Sequence, residues 1–267
     1  MSKEAVETWA ELRGRSVYED EKILVLNKPP GISVMGERHG LSIIDVALAA
    51  GESLRWVHRI DKVTSGVLLL AKTQDSHSVL TRQFAKRTVD KAYLAWIAGE
   101  NIPVQGQIDL PLTQGRKGRI RVAGNRQEIR YEASANLFTL DRGSVYTDRP
   151  IYDSCTKYDV IAKQDGTSLL LLNPVTGRRH QIRVHLAWIG FPILGDPLFC
   201  AATSTRTYLH SWTLAVDCPW FADASRRTFV ANPDNEFLRA ADEKVLELAR
   251  NVAEESPYFS SRGSLSS

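Results

Sequence analysis

Along the chain, short unbroken apolar runs alternate with stretches in which apolar residues recur every three or four positions, a pattern that predicts strands and helices in alternation. Residues 23–26 and 67–71 are continuous apolar runs and predict short buried strands. Residues 91–99 carry Tyr93, Ala95 and Ile97 on one face and Leu94, Trp96 and Ala98 on the other, as a central strand would. Ser42 is expected to cap a helix that buries Ile43, Ile44, Val46 and Leu48 and stops at Gly51. Asp75 is expected to cap the next, with Val79, Leu80 and Phe84 inward and Arg82, Lys86 and Arg87 outward. Strands at 156–162 and 168–172 are joined by a turn at Asp165-Gly166. A helix from about His180 places Ile182, Leu186 and Ile189 on one apolar face, with Arg183 off it. A strand at 208–216 follows, then a helix capped by Asp234 and running to about Ala253, with Leu238, Ala241, Val245, Leu248 and Val252 at near-heptad spacing. Residues 100–150 have no clear period and read as an insertion or a loop between hairpin strands.

With 267 residues, 43% hydrophobic and 24% charged, the chain can bury the core of one large domain or of two lobes sharing a sheet. No apolar run reaches membrane-span length and the start has no signal-peptide core, so a cytoplasmic protein is expected. Cys155, Cys200 and Cys218 are widely spaced, which points to inert thiols, and His180 and His185 lie beside no acidic cluster, so no metal site is expected. The formal charge of +3 permits a nucleic-acid partner, and its distribution says more. Arg116, Lys117, Arg119, Arg121, Arg126 and Arg130 face a single acid, Glu128, and Gly115, Gly118 and Gly124 interleave them. A mobile basic hairpin able to lie against phosphates fits that pattern, and so does a solvated loop.

The densest chemistry is at residues 56–72, where a turn rich in small polar residues leads into the apolar run and Asp61 stands between Arg59 and Lys62. Flanking cations favour the ionised carboxylate, though a turn cap would use the same residue types. Residues 58–66 resemble the HR(L/I)DxxTSG signature of the pseudouridine synthases, in the RluA-type branch of stand-alone enzymes that modify ribosomal and transfer RNA. Asn27-Lys28-Pro29-Pro30-Gly31, Lys91-Ala92-Tyr93-Leu94-Ala95 and residues 174–186 fit the same family in the same order, so the resemblance covers roughly residues 20–217.

The resemblance implies a mixed α/β (α+β) domain on a long, mainly antiparallel mixed sheet, with flanking helices and a central active-site cleft. It implies an RNA uridine isomerase that uses no cofactor or metal. Asp61 is then the catalytic carboxylate, Arg183 the cation paired with it, and Tyr93 the ring that stacks on the base. His58, Arg59, Thr64, Arg178, Arg179, Leu186 and Lys28 are expected to contact substrate, with Arg59 holding the RNA open, Leu186 in the base slot and Lys28 facing RNA. Arg116, Lys117, Arg119 and Arg121 are expected to bind RNA outside the slot. The chain divides into a lead (1–19), a catalytic domain (20–217) with its insertion (100–150), a helical extension (218–254) and a disordered tail (255–267), acting as a monomer. No amino-terminal RNA-binding module is expected before residue 20.

Ile60, Val63 and Arg179 depart from the family's usual residues, and the last two flank the expected site, where they could alter substrate choice. Two rivals stand beside the isomerase. One is a family fold that binds RNA without turnover, or an isomerase of a free uridine nucleotide; the other is a nucleoside or glycoside hydrolase pairing Asp61 with an acid such as Asp196.

Overall fold

The structure, a computed structural model, describes residues 3–36, 40–201, 204–222, 226–238 and 244–255. In chain order the first elements are α1 (Lys3–Arg13), β1 (Ser16–Glu19), β2 (Ile23–Lys28), α2 (Ile43–Ala49), β3 (Arg55–Trp56), β4 (Ser65–Ala71) and α3 (Gln74–Lys86). There follow β5 (Asp90–Ala98), β6 (Gln105–Asp109), β7 (Leu112–Gln114), β8 (Ile120–Val122), β9 (Arg130–Glu132), β10 (Leu137–Thr139) and β11 (Ile151–Tyr152). The last are β12 (Cys155–Gln164), β13 (Thr167–Pro174), α4 (Gln181–Trp188), β14 (Leu209–Asp217), β15 (Arg226–Val230), α5 (Asn235–Leu238) and α6 (Lys244–Glu255). The class is mixed α/β with a large mixed sheet, as the resemblance implies. Among the described residues no helix is long and apolar enough to cross a membrane.

The described residues fall into two compact units, one within the ranges 1–91 and 210–237 and one within 92–209 and 238–267. In the first, β2 lies antiparallel between β1 and β4, and β4 runs parallel to β14 through His210↔Ser65 and Ser211↔Gly66. All seven residues of β4 are buried, which is why its sequence is apolar without alternation. Gly66, at φ 107°, has no room for a side chain: a Cβ there would stand 2.1 Å from the Ser211 carbonyl oxygen. One core packs Ile23, Val25, Val57, Val67, Leu69 and Leu80 with Leu214 and Phe229.

The helix starts refine the sequence reading. Ser42 caps α2 in a reciprocal capping box with Asp45, but Leu48 is 65% exposed rather than buried. Thr73, not Asp75, caps α3, because its hydroxyl accepts from the Ser76 N–H while Asp75 lies within the first turn of the helix.

In the second unit the strand order is β5-β13-β12-β6-β10-β9, antiparallel except for β6–β10, and β11-β7-β8 form a small separate sheet. The β12–β13 turn falls at Asp165-Gly166, both left-handed, as expected. Residues 100–150 hold five short strands, β6 to β10. β7 and β8 make the basic hairpin, with Leu112↔Val122 and Gln114↔Ile120 in register. The core here gathers Ala95, Ile97, Leu110, Tyr158, Leu170, Leu172, Val184 and Leu186. Helix α4 is buried from Gln181 to Ala187 on every side, so Arg183 is inside rather than on a polar face. Of the expected long final helix, α5 and α6 are described; Ala241 and residues 256–267 lie outside the described residues.

Candidate active site

In the first unit, Asp61 lies in the turn between β3 and β4, half-buried, with the Thr64 N–H on its own carbonyl oxygen at 3.0 Å. That turn is clamped to the Asn27-Lys28-Pro29-Pro30-Gly31 turn. The Gly31 N–H donates to the Lys62 carbonyl at 2.8 Å, and the Lys28 ammonium donates to the carbonyls of Pro29 (2.8 Å), Ile32 (3.0 Å) and Lys62 (3.3 Å). Lys28 is therefore fully buried and holds two turns together instead of presenting its charge to solvent. Burial pushes its pKa down to about 7, while the Asp61 charge works the other way.

His58 supports the same turn from below. Its Nε2 accepts the Leu69 N–H at 3.0 Å and its ring stacks on Phe84, centroids 4.7 Å apart at 9°. Burial, helped by the Lys91 charge, lowers its pKa to about 3, so the ring is neutral. Thr64 is buried. Arg59 is exposed, with a weak contact to the Met35 sulfur at 3.8 Å, and among the described residues no carboxylate pairs with it.

In the second unit, Tyr93 sits half-buried on β5 opposite Leu172. Arg183, 3% exposed, meets Asp196, 1% exposed, through two parallel bonds: Nε to Oδ2 at 2.7 Å and Nη2 to Oδ1 at 2.9 Å. Both Asp196 oxygens are thus engaged by the guanidinium, which is not the arrangement the hydrolase alternative asks of its second acid. Leu186 is fully buried in the core.

Gln181 fixes the start of α4: its Oε1 accepts from the Arg178 N–H (3.0 Å) and the Thr176 hydroxyl (2.6 Å), and its Nε2 donates to the Cys155 carbonyl (2.9 Å). His185 anchors the middle, bonded to Thr156, Ser154 and the Leu110 carbonyl at 3.0 Å each, with a pKa held down at about 4 by burial. At the end, Arg126 caps the carbonyls of Ala187 and Trp188, a cation where the helix dipole favours one.

The basic residues divide by employment. Arg116, Lys117 and Arg119 are exposed at the tip of the β7–β8 hairpin, and Arg179 is exposed before α4. Arg121 is turned inward, its Nη2 donating to the Tyr146 hydroxyl at 2.8 Å with the guanidinium 5.2 Å over that ring. Arg178 lies 5.5 Å over Tyr152 and donates to the Asp153 carbonyl at 3.2 Å. Sequence reasoning missed Arg126 as a helix cap and Asp196 as the partner of Arg183; only the Gly195-Asp196-Pro197 turn marked the latter.

Comparison with known proteins shows the family. The sequence model of the family RNA pseudouridylate synthase matches residues 22–188, a span that holds Asp61, Tyr93 and Arg183. The chain belongs to that family and is an isomerase acting on uridine in RNA. Within it the resemblance is to the RluA type. The Dual-specificity RNA pseudouridine synthase RluA of Escherichia coli (strain K12) is 34% identical over 226 residues, covering 82% of this chain and 92% of that one. The enzyme of the same name from Vibrio cholerae serotype O1 is 31% identical over 79% of this chain and 85% of its own. Among solved structures, Human RNA Pseudouridylate Synthase Domain Containing 4 shares the fold with a TM-score of 0.72 at 22% identity, over 92% of this chain and 97% of that one.

Proposed function

We propose that this enzyme converts a uridine of ribosomal or transfer RNA to pseudouridine in the cytoplasm, as a monomer, with Asp61 as the nucleophile or base. The supporting observation is the family match, which spans Asp61, Tyr93 and Arg183 in one collinear segment. The reaction breaks the N1–C1′ bond, turns the free uracil and rebuilds the bond from C5, whose proton is lost as N1 gains one. It asks for an ionised carboxylate at the sugar, a slot for the loose base and exclusion of water, all of which side chains supply. In this reading Tyr93 stacks on uracil, Arg183 is the cation that supports the reacting carboxylate, and Leu186 backs the slot. Arg59, exposed beside Asp61 in the sequence, holds the RNA open once the uridine has left its stack, at a cost of a few kcal/mol.

The test is pseudouridine mapping across total RNA from cells with and without the gene, with Asp61→Asn re-expressed. A uridine whose modification disappears and returns only with the wild-type protein supports the reading and names the substrate. No changed site overturns it.

For docking, we infer that the hairpin tip carries phosphate contacts through Arg116, Lys117 and Arg119. Replacing all three with alanine should flatten the dependence of log K on log salt by roughly 2 to 3, since each phosphate contact on an RNA strand contributes about 0.7 to 0.9. Filter binding from low to moderate salt reads that slope. An unchanged slope places the docking surface elsewhere.

A further inference from the structure

We propose that Asp196 is a positioning residue for the isomerisation: it holds the Arg183 guanidinium in one orientation from a loop bonded to the strand that bears Tyr93. The inference rests on the reading of Arg183 as a functional cation. Three observations carry it.

The first is the fork itself. Two parallel bonds, 2.7 and 2.9 Å, fix both the distance and the rotation of the guanidinium, where one bond would leave it free to swing. The Phe199 ring, 5.6 Å from the guanidinium carbon, lies against its face.

The second is the way the carboxylate is delivered. Residues 192–196 are fastened to β5: the Ala98 N–H donates to the Pro192 carbonyl at 3.0 Å, the Leu194 N–H to the Trp96 carbonyl at 2.9 Å, and Ile193 bridges Ile97. The Tyr208 N–H closes the other side on the Leu194 carbonyl at 3.0 Å, and the Leu198 N–H donates to Asp196 Oδ1 at 2.9 Å. Gly195 makes the bend possible. It has φ 67°, and a Cβ there would lie 1.9 Å from the Arg206 carbonyl oxygen, so no other residue lets the loop pass this close. Strand β5 and helix α4 are thereby held in one frame by a single loop.

The third is burial. An ion pair shielded from water is a poor source of net stability compared with apolar packing of the same volume, so a buried fork in an apolar core fits geometric control better than stabilisation.

The test compares Asp196→Asn, Asp196→Glu and Arg183→Lys with wild type. Single-turnover rates are measured with enzyme in excess over total RNA from cells lacking the gene, at temperatures below each variant's melting point. The dependence on enzyme concentration separates the maximal rate from the half-saturating concentration. Asp196→Asn should lower the maximal rate by roughly 10- to 100-fold, the scale of a misplaced catalytic group, and leave half-saturation within about twofold. Asp196→Glu, which keeps the charge, should recover part of the loss. A wild-type maximal rate in Asp196→Asn with Arg183→Lys inactive overturns the positioning role alone. A wild-type rate in Arg183→Lys overturns the role of Arg183 and this inference with it.

Discussion

The two units bury a cation in opposite ways. Lys28 is closed off from water with three backbone carbonyls around its ammonium, and Arg183 is closed off with a carboxylate across its fork. A lysine is a point charge with three donors, suited to collecting carbonyls from converging turns; an arginine is a planar fork, suited to a carboxylate. Their electrical situations differ accordingly. Carbonyl dipoles satisfy the lysine's donors without balancing its charge, so burial drags its pKa to about 7. Arg183 has a full countercharge and stays protonated at any working pH. One turn is thus held by a group that can titrate, and the other by one that cannot.

The contrast is broken most forcefully by deleting the arginine. Arg183→Met should cost about 3–5 kcal/mol in denaturant unfolding, because Asp196 would be left charged and buried. Much of that should return in the Arg183→Met/Asp196→Leu double variant, in which nothing charged is stranded. Lys28→Met leaves only neutral carbonyls without donors and should cost less, roughly 1–3 kcal/mol. Equal losses in the two single variants would mean that the countercharge is not what separates them.

The pH dependence sharpens the contrast further. Lys28 falls from its ordinary 10.5 to about 7 in the folded protein, so between those values the unfolded chain binds a proton the folded one has given up. Stability should therefore rise with pH across that window, and Lys28→Met should flatten the rise. Denaturant midpoints from pH 6.5 to 9.5 measure it. Arg183 should contribute no such slope.

A second pH effect lies on the acid side and touches both units. His58 and His185 have folded pKa values of about 3 and 4 against an ordinary 6.5, so both are neutral when folded and take up protons on unfolding. Their contribution is fully present above pH 6.5 and is lost as pH falls toward 4. A midpoint that holds steady from pH 6.5 to 4.5 would show that these rings are not kept neutral.

Much of the first unit can be read from its residues. The runs at 23–26 and 67–71 are apolar without interruption because both faces of β2 and β4 are covered, and that condition is local to each strand. The turn at Asp165-Gly166 is equally local, since both residues tolerate the left-handed backbone it needs. Residues 100–150 were opaque for the converse reason. β6 finds β12 through Ile108↔Thr156, and three-residue strands are too short to show a period. Leu48 was misread because periodicity marks a stripe and not its edge, and Thr73 because three neighbouring oxygen-bearing side chains compete for one cap.

At the candidate site, it is the resemblance of residues 58–66, 91–95 and 174–186 to the family that marked Asp61, Tyr93 and Arg183, since a carboxylate between cations serves equally well as a turn cap. What each cation is used for was decided by distance in space. Lys28, expected to face RNA, is enclosed by the carbonyls of Ile32 and Lys62, and Arg183, expected off the apolar face of its helix, is buried against Asp196 on a loop pinned to β5. Sequence by itself determined which strands are buried, which turns bend and which groups carry charge, because those follow from neighbours a few residues away. Tertiary structure alone decided which charges are buried and what balances them, because desolvation and pairing depend on groups that meet only when the chain is folded.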